Sequence, residues 1–162
     1  AKHTIFYDAL PHYFMEFDIY DREKDLYLDT PSRRAFTSRL PVSSVPVLAE
    51  RSFEQKEELL KLLGPSNYIT GNQRQNLYDS AVRLGLDPKR SCEETELSGL
   101  MEGLYLKVEE NGRIVQRLKY VRPAFLQRIL FSETHWIDRP IIPNQLAVPT
   151  ERLFENEAAG KE

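Results

Sequence analysis

Cysteine is almost absent from this chain of 162 residues: Cys92 stands alone. It can form no disulfide within the chain, and zinc ribbons and Cys-rich scaffolds are excluded. Glycine is scarce too, at seven residues, and no Gly-rich phosphate loop occurs. The three histidines, His3, His12 and His135, stand isolated and make no metal-ligand pattern. Long apolar runs are missing: no stretch approaches the roughly 20 residues that cross a bilayer. The start, Ala1-Lys2-His3-Thr4, has no secretory apolar region. These absences lead to the expectation of a cytoplasmic globular chain with no membrane partner. Its length suits one ordinary domain, able to bury roughly 70% of the surface its unfolded chain exposes.

An excess of positive charge is also lacking. Twenty-two basic side chains stand against 25 acidic ones, a net charge of -3. Taken alone, that argues against a nucleic-acid partner. The distribution says more. Residues 107–139 carry seven basic and four acidic side chains, while the rest of the chain is acidic. A basic segment inside an acidic protein reads either as a phosphate-facing surface or as a solvated mixed surface.

What is present reads as strands at both ends and helices between. Thr4-Ile5-Phe6-Tyr7 is β-rich. From Tyr13 to Tyr20 the odd positions Tyr13, Met15, Phe17 and Ile19 are apolar or aromatic, which predicts a strand buried on that face. A charged turn at 21–25 leads to a short strand over 26–28. A helix is predicted over 32–40 and a proline-containing edge strand over 45–48. Ser52 and Gln55 have capping-box spacing, which predicts a helix that runs to the stop at Gly64-Pro65. A second helix is predicted over 74–84, with Leu77, Ala81, Val82 and Leu84 as its apolar face. Asp87-Pro88 opens a short third one. Residues 52–98 thus form a helical insert. Strands follow over 104–108 and 113–121, then a helix over 124–132. Residues 137–149 are broken by prolines, and 150–162 form a polar tail.

Asn111-Gly112 between two strands is the strongest short-range hairpin signal in the chain. With these two residues at the turn, Glu110 pairs with Arg113, Leu106 with Arg117 and Leu104 with Lys119. Period two then places Glu102, Leu104, Leu106, Arg117 and Lys119 on one face, with Tyr105, Lys107, Leu118 and Tyr120 on the other. Two readings stand. Arg117 and Lys119 lie on a solvent face and pair with nearby acids, or they line a pocket and hold a phosphate while Glu102 holds a metal ion or a hydroxyl. A slip of one residue would abolish the constellation.

At these residues the chain resembles a known family. Glu102-Gly103-Leu104-Tyr105-Leu106-Lys107 resembles the fourth motif of the covalent nucleotidyltransferases, the superfamily of ATP-dependent DNA ligases, RNA ligases and mRNA capping enzymes. Arg117-Leu118-Lys119 resembles the fifth motif, and Phe14-Met15-Glu16-Phe17-Asp18-Ile19 resembles motif IIIa. The three occur in family order. The start at Lys2-His3-Thr4-Ile5 and the run Leu118 to Pro123 look most like the RNA ligase branch. The resemblance covers about residues 1–145.

The resemblance implies an α/β (α+β) fold, a mainly antiparallel sheet with a helical insert in an ATP-grasp-like nucleotidyltransferase core, spanning residues 1–149. It implies ATP and Mg²⁺ (or Mn²⁺) as cofactors and a polynucleotide, RNA by branch, as partner. A lysine takes AMP from ATP and passes it to a 5′-phosphate, and a 3′-hydroxyl then displaces AMP to seal the strand. By carry-over, Phe17 stacks on adenine, Glu102 helps hold the metal ion, and Arg117 and Lys119 contact the α-phosphate. Core packing is the competing reading for Phe17. Arg122 is a further candidate phosphate contact, and Lys107 is assigned to the opposite face.

One departure is large. The family's nucleophilic lysine stands in Lys-x-Asp-Gly, and none of the eight lysines here is followed by x-Asp-Gly. The chain alone is therefore expected to be inactive. A missing N-terminal segment or a second polypeptide supplies the lysine, or the protein has lost catalysis. The favoured expectation is the later part of a ligase adenylyltransferase domain. The alternative is a non-catalytic nucleic-acid-binding or scaffold protein derived from the ligase fold.

Overall fold

Asn111 and Gly112 both adopt positive φ, 51° and 80°. A type I′ turn needs this at both central positions, and it twists the chain in the sense of the flanking strands. The hairpin joins Gly103–Glu110 to Arg113–Val121, the two longest strands of the computed structural model, which describes residues 4–130 and 141–153.

Ahead of the hairpin come strands β1 (Met15–Glu16), β2 (Tyr20–Asp21), β3 (Leu26–Tyr27) and β4 (Ser43–Ser44). The hairpin strands are β5 and β6. β1 pairs with β4 in parallel, β2 with β3 antiparallel, and β5 with β6. The helices are α1 (Thr30–Thr37), α2 (Lys56–Leu60), α3 (Gln73–Arg83), α4 (Pro88–Glu93) and α5 (Pro123–Leu130). A 3-10 turn covers Thr150–Arg152. The fold is α+β, with antiparallel sheets among its helices. The expected segments 131–132, 137–140 and 154–162 lie outside the described residues.

The chain divides into two compact units. The first comprises 1–11, 53–103 and 121–147, and the second 12–52, 104–120 and 148–162. In the first, Phe6, Leu77 and Cys92 form a buried cluster with Leu97 and Ile142 packed against it. Cys92 is only 7% exposed. Bridges Ile5–Glu96 and Leu10–Leu146 tie the first segment in. α3 ends as a glycine stop should: Gly85 has φ 68°, and the Leu86 and Gly85 N–H groups bond the carbonyls of Ala81 and Val82. Its buried face is Gln73, Leu77, Ser80 and Ala81. Val82 and Leu84, expected there, are 55% and 49% exposed. Val82 falls off the stripe of 73, 77, 80 and 81, whereas Leu84, which would continue it, is the cap residue beyond the last helical turn.

Several other expectations are corrected. α1 begins at Thr30 because Asp29 accepts the Ser32 N–H and Pro31 suits the first turn. α2 begins at Lys56 with no side-chain cap, so the Ser52 capping box does not form. A cap contributes about 1 kcal/mol, too little to hold an extra turn in which Glu54 and Gln55 are exposed. The edge strand sits at Ser43–Ser44, and Val47 and Leu48 lie outside any strand, beyond Pro46, which has no N–H to donate.

The largest correction is at 13–20. Strand structure there is limited to Met15–Glu16 and to Tyr20, and the odd positions Tyr13 and Phe17 are 61% and 49% exposed. Glu16 is buried instead. Its carboxylate accepts two hydrogen bonds from Arg33 Nη1, at 3.1 and 3.0 Å, and one from Ser44 Oγ at 2.8 Å. A charge-assisted cluster has taken the inward position that hydropathy alone assigned to the aromatic residues.

Candidate nucleotide-binding site

In the second unit, the Asp18 carboxylate is a meeting point for side chains of β5 and β6. Lys107 Nζ lies 2.7 Å from Oδ1. The Tyr105 hydroxyl donates to Oδ2 at 2.6 Å, and Arg117 Nη1 reaches the same oxygen at 3.5 Å. Lys107 also donates to the Phe17 carbonyl. The Tyr105 ring meets the Phe17 ring edge-on, with centroids 5.6 Å apart and planes at 88°. The Arg117 guanidinium lies 3.8 Å from the centre of the Tyr27 ring. Tyr27 pairs across the strands with Tyr20, at 5.0 Å between centroids.

These contacts set the local charges. Burial pushes the Asp18 carboxyl up, but the hydrogen bonds from Lys107 and Tyr105, with the Lys107 charge, outweigh it and hold the group below its ordinary value. The Tyr105 hydroxyl is pushed up to about 12 by burial and by its bond to the Asp18 anion. Asp18 is therefore an anion that orients two cations and a phenol around the backbone of Phe17.

The expected division of hairpin faces does not hold. Arg117 reaches the same carboxylate as Tyr105 and Lys107, the side from which the two-residue register excluded it. The two ends of the hairpin explain the change. The turn opposes Glu110 to Arg113, yet at the open end the Arg122 N–H bonds the Glu102 carbonyl at 2.9 Å, one position out of that register. Between those two points β6 therefore gains one residue on β5, as a bulge does. One extra residue moves every later side chain to the other face. Lys119 is exposed and makes no ion pair or hydrogen bond among the described residues.

Glu102 belongs to the first unit. Its Oε1 accepts the Tyr7 hydroxyl at 2.8 Å. Burial first, and then the charge and hydrogen bond of Glu102, raise the Tyr7 hydroxyl far above the usual phenol range. Arg122, a candidate phosphate contact, is committed elsewhere. Its Nε donates to the Met101 carbonyl at 2.6 Å, its Nη2 lies 3.6 Å from Glu96, and its side chain is 11% exposed.

Among the described residues, no three His, Cys, Asp or Glu side chains gather as metal ligands. Mg²⁺ in phosphoryl transfer needs only one or two carboxylates, and waters and phosphate oxygens fill its other positions. Glu102 fits that role: Oε1 carries the Tyr7 bond, and Oε2 accepts no hydrogen bond among the described residues.

Sequence reasoning thus singled out Phe17, Arg117, Lys119 and Glu102, and missed Asp18, Tyr105, Lys107, Tyr27 and Tyr7. Asp18 and Lys107 lay within the motif-like stretches already noted. Tyr7 and Tyr27 carried no local signal.

A family model described as RNA ligase matches residues 1–121, a span that contains Phe17, Glu102, Arg117 and Lys119. Searches of curated proteins and of solved structures found no match.

Proposed function

The chain belongs to the RNA ligase family, and we propose that it is part of an ATP-dependent ligase that seals 5′-phosphate and 3′-hydroxyl ends of RNA through an enzyme-adenylate and an RNA-adenylate. The arrangement around Asp18 carries the reading. Phe17 is 49% exposed, which leaves ring surface to offer adenine, while Lys107 holds its backbone carbonyl and the Tyr105 ring packs against its ring. Arg117 and Lys119 of β6 are read as the positive charge for the α-phosphate, where phosphoryl transfer depends on positioning and charge neutralisation. Glu102, in the first unit, is read as a carboxylate that would hold Mg²⁺.

In this reading a lysine nitrogen attacks the α-phosphorus of ATP and pyrophosphate leaves. The RNA 5′-phosphate oxygen then takes the AMP from lysine, and the 3′-hydroxyl oxygen displaces AMP as the new phosphodiester forms. The lysine comes from a preceding segment or a second polypeptide, because no lysine here stands before x-Asp-Gly. Residues 1–149 are read as part of one nucleotidyltransferase domain, with 52–98 as its helical insert and 150–162 as its tail.

The test uses the longest natural chain that contains these residues, with ATP labelled at the α-phosphate and Mg²⁺. Label covalently attached to protein supports the proposal, and its absence sinks it. A second reading, a non-catalytic nucleic-acid-binding or scaffold protein, is favoured by the absent Lys-x-Asp-Gly. It would show RNA binding without label.

A further inference from the structure

We propose that Tyr7 is a positioning residue for Glu102, holding one carboxylate oxygen so that the other is left to a divalent cation. The inference rests on the reading of Glu102 as a metal-binding carboxylate. The two residues are 95 positions apart in sequence, and their 2.8 Å hydrogen bond exists only through the fold.

Tyr7 is built as a fixed support. Its N–H donates to Asn144 Oδ1 at 3.0 Å, and its carbonyl accepts the Gln145 N–H at 2.8 Å. The Tyr68 ring braces its ring edge-on, with centroids 6.2 Å apart. Glu102 is held from a second direction. Arg122 bonds its carbonyl through the backbone and the preceding carbonyl, of Met101, through its guanidinium. The main chain of Glu102 is thus anchored on one side and its side chain on the other.

A free glutamate must freeze its rotatable bonds when it binds a cation. Tyr7 orders the carboxylate beforehand. Hydrogen-bonded supports of this kind typically change metal affinity by 10–100-fold when removed. A phenol suits the task because it donates to one oxygen and adds no charge to compete with the cation.

The test is a titration of the longest natural chain with Mn²⁺ alone, with free Mn²⁺ read by electron paramagnetic resonance. Tyr7→Phe, which removes only the hydroxyl, is expected to weaken Mn²⁺ binding about tenfold, and Glu102→Gln to abolish it. Tyr68→Phe keeps the brace and is expected to bind as the unaltered protein does. Unchanged affinity in Tyr7→Phe, with loss in Glu102→Gln, overturns the positioning role and leaves the Glu102 reading intact. Unchanged affinity in Glu102→Gln overturns that reading and the inference with it. If Tyr7→Phe does not fold, Glu102→Asp replaces it. The shorter carboxylate loses the Tyr7 bond, so weaker binding is expected, and unaltered binding refutes the role.

Discussion

The Lys107 ammonium lies 2.7 Å from the Asp18 carboxylate, with the two side chains only 13% and 7% exposed. Lys107 donates in addition to the carbonyl of Phe17. One ion pair therefore ties β5 to the residue whose ring is the candidate adenine platform. Asp18→Ala leaves Lys107 charged and half-stranded from water. Removing one partner of a buried pair costs about 3–5 kcal/mol. Urea unfolding is expected to show a loss of that order, and a loss under about 1 kcal/mol would mean that the pair is solvent-screened.

The same carboxylate gives a pH dependence. Its folded-state value lies below the ordinary one, so its contribution is present above the unfolded value, about 3.9, and is lost as pH falls through the folded value. The stability difference between the unaltered protein and Asp18→Asn is expected to be full at neutral pH and to shrink as pH drops below about 4. A difference that grows in acid would contradict the depressed value.

Glu16 and Arg33 make the second buried pair, with side chains 8% and 2% exposed. Arg33→Ala strands the Glu16 carboxylate and is expected to cost about 3–5 kcal/mol. Arg33→Met with Glu16→Leu removes both charges together and is expected to recover most of that loss. Chemical denaturation of the single and double variants decides it.

Lys119 is exposed and unpaired among the described residues. Lys119→Ala should therefore change stability by no more than about 0.5 kcal/mol. In the longest natural chain it is expected to abolish covalent labelling by ATP. Retained labelling would remove Lys119 from the site.

Phe17→Ala gives up an edge-on contact with Tyr105, a loss of about 0.5–1.5 kcal/mol. Loss of a base-stacking face costs about 1–3 kcal/mol. The KM for ATP in the adenylylation step is therefore expected to rise about tenfold or more. Phe17→Tyr keeps the face and should stay near the original value. An unchanged KM in Phe17→Ala would assign the ring to packing alone.

By itself the sequence determined what local chemistry dictates. Asn-Gly can hold two positive φ angles cheaply, so the hairpin and its turn were legible. Asp87-Pro88 marked where α4 begins. Four candidate site residues were legible because they sit inside three short motifs in family order. Only the tertiary structure decided what these residues touch. Hydropathy assigned Phe17 inward, yet Glu16 is inside, because Arg33 and Ser44 approach from elements that no local pattern connects. Period two put Arg117 and Lys107 on opposite faces, but both reach the Asp18 carboxylate. Tyr7 meets Glu102 across 95 positions. Local propensities act over a few residues, whereas ion pairs and hydrogen bonds form wherever the chain folds back on itself, and those long-range contacts set the site's geometry.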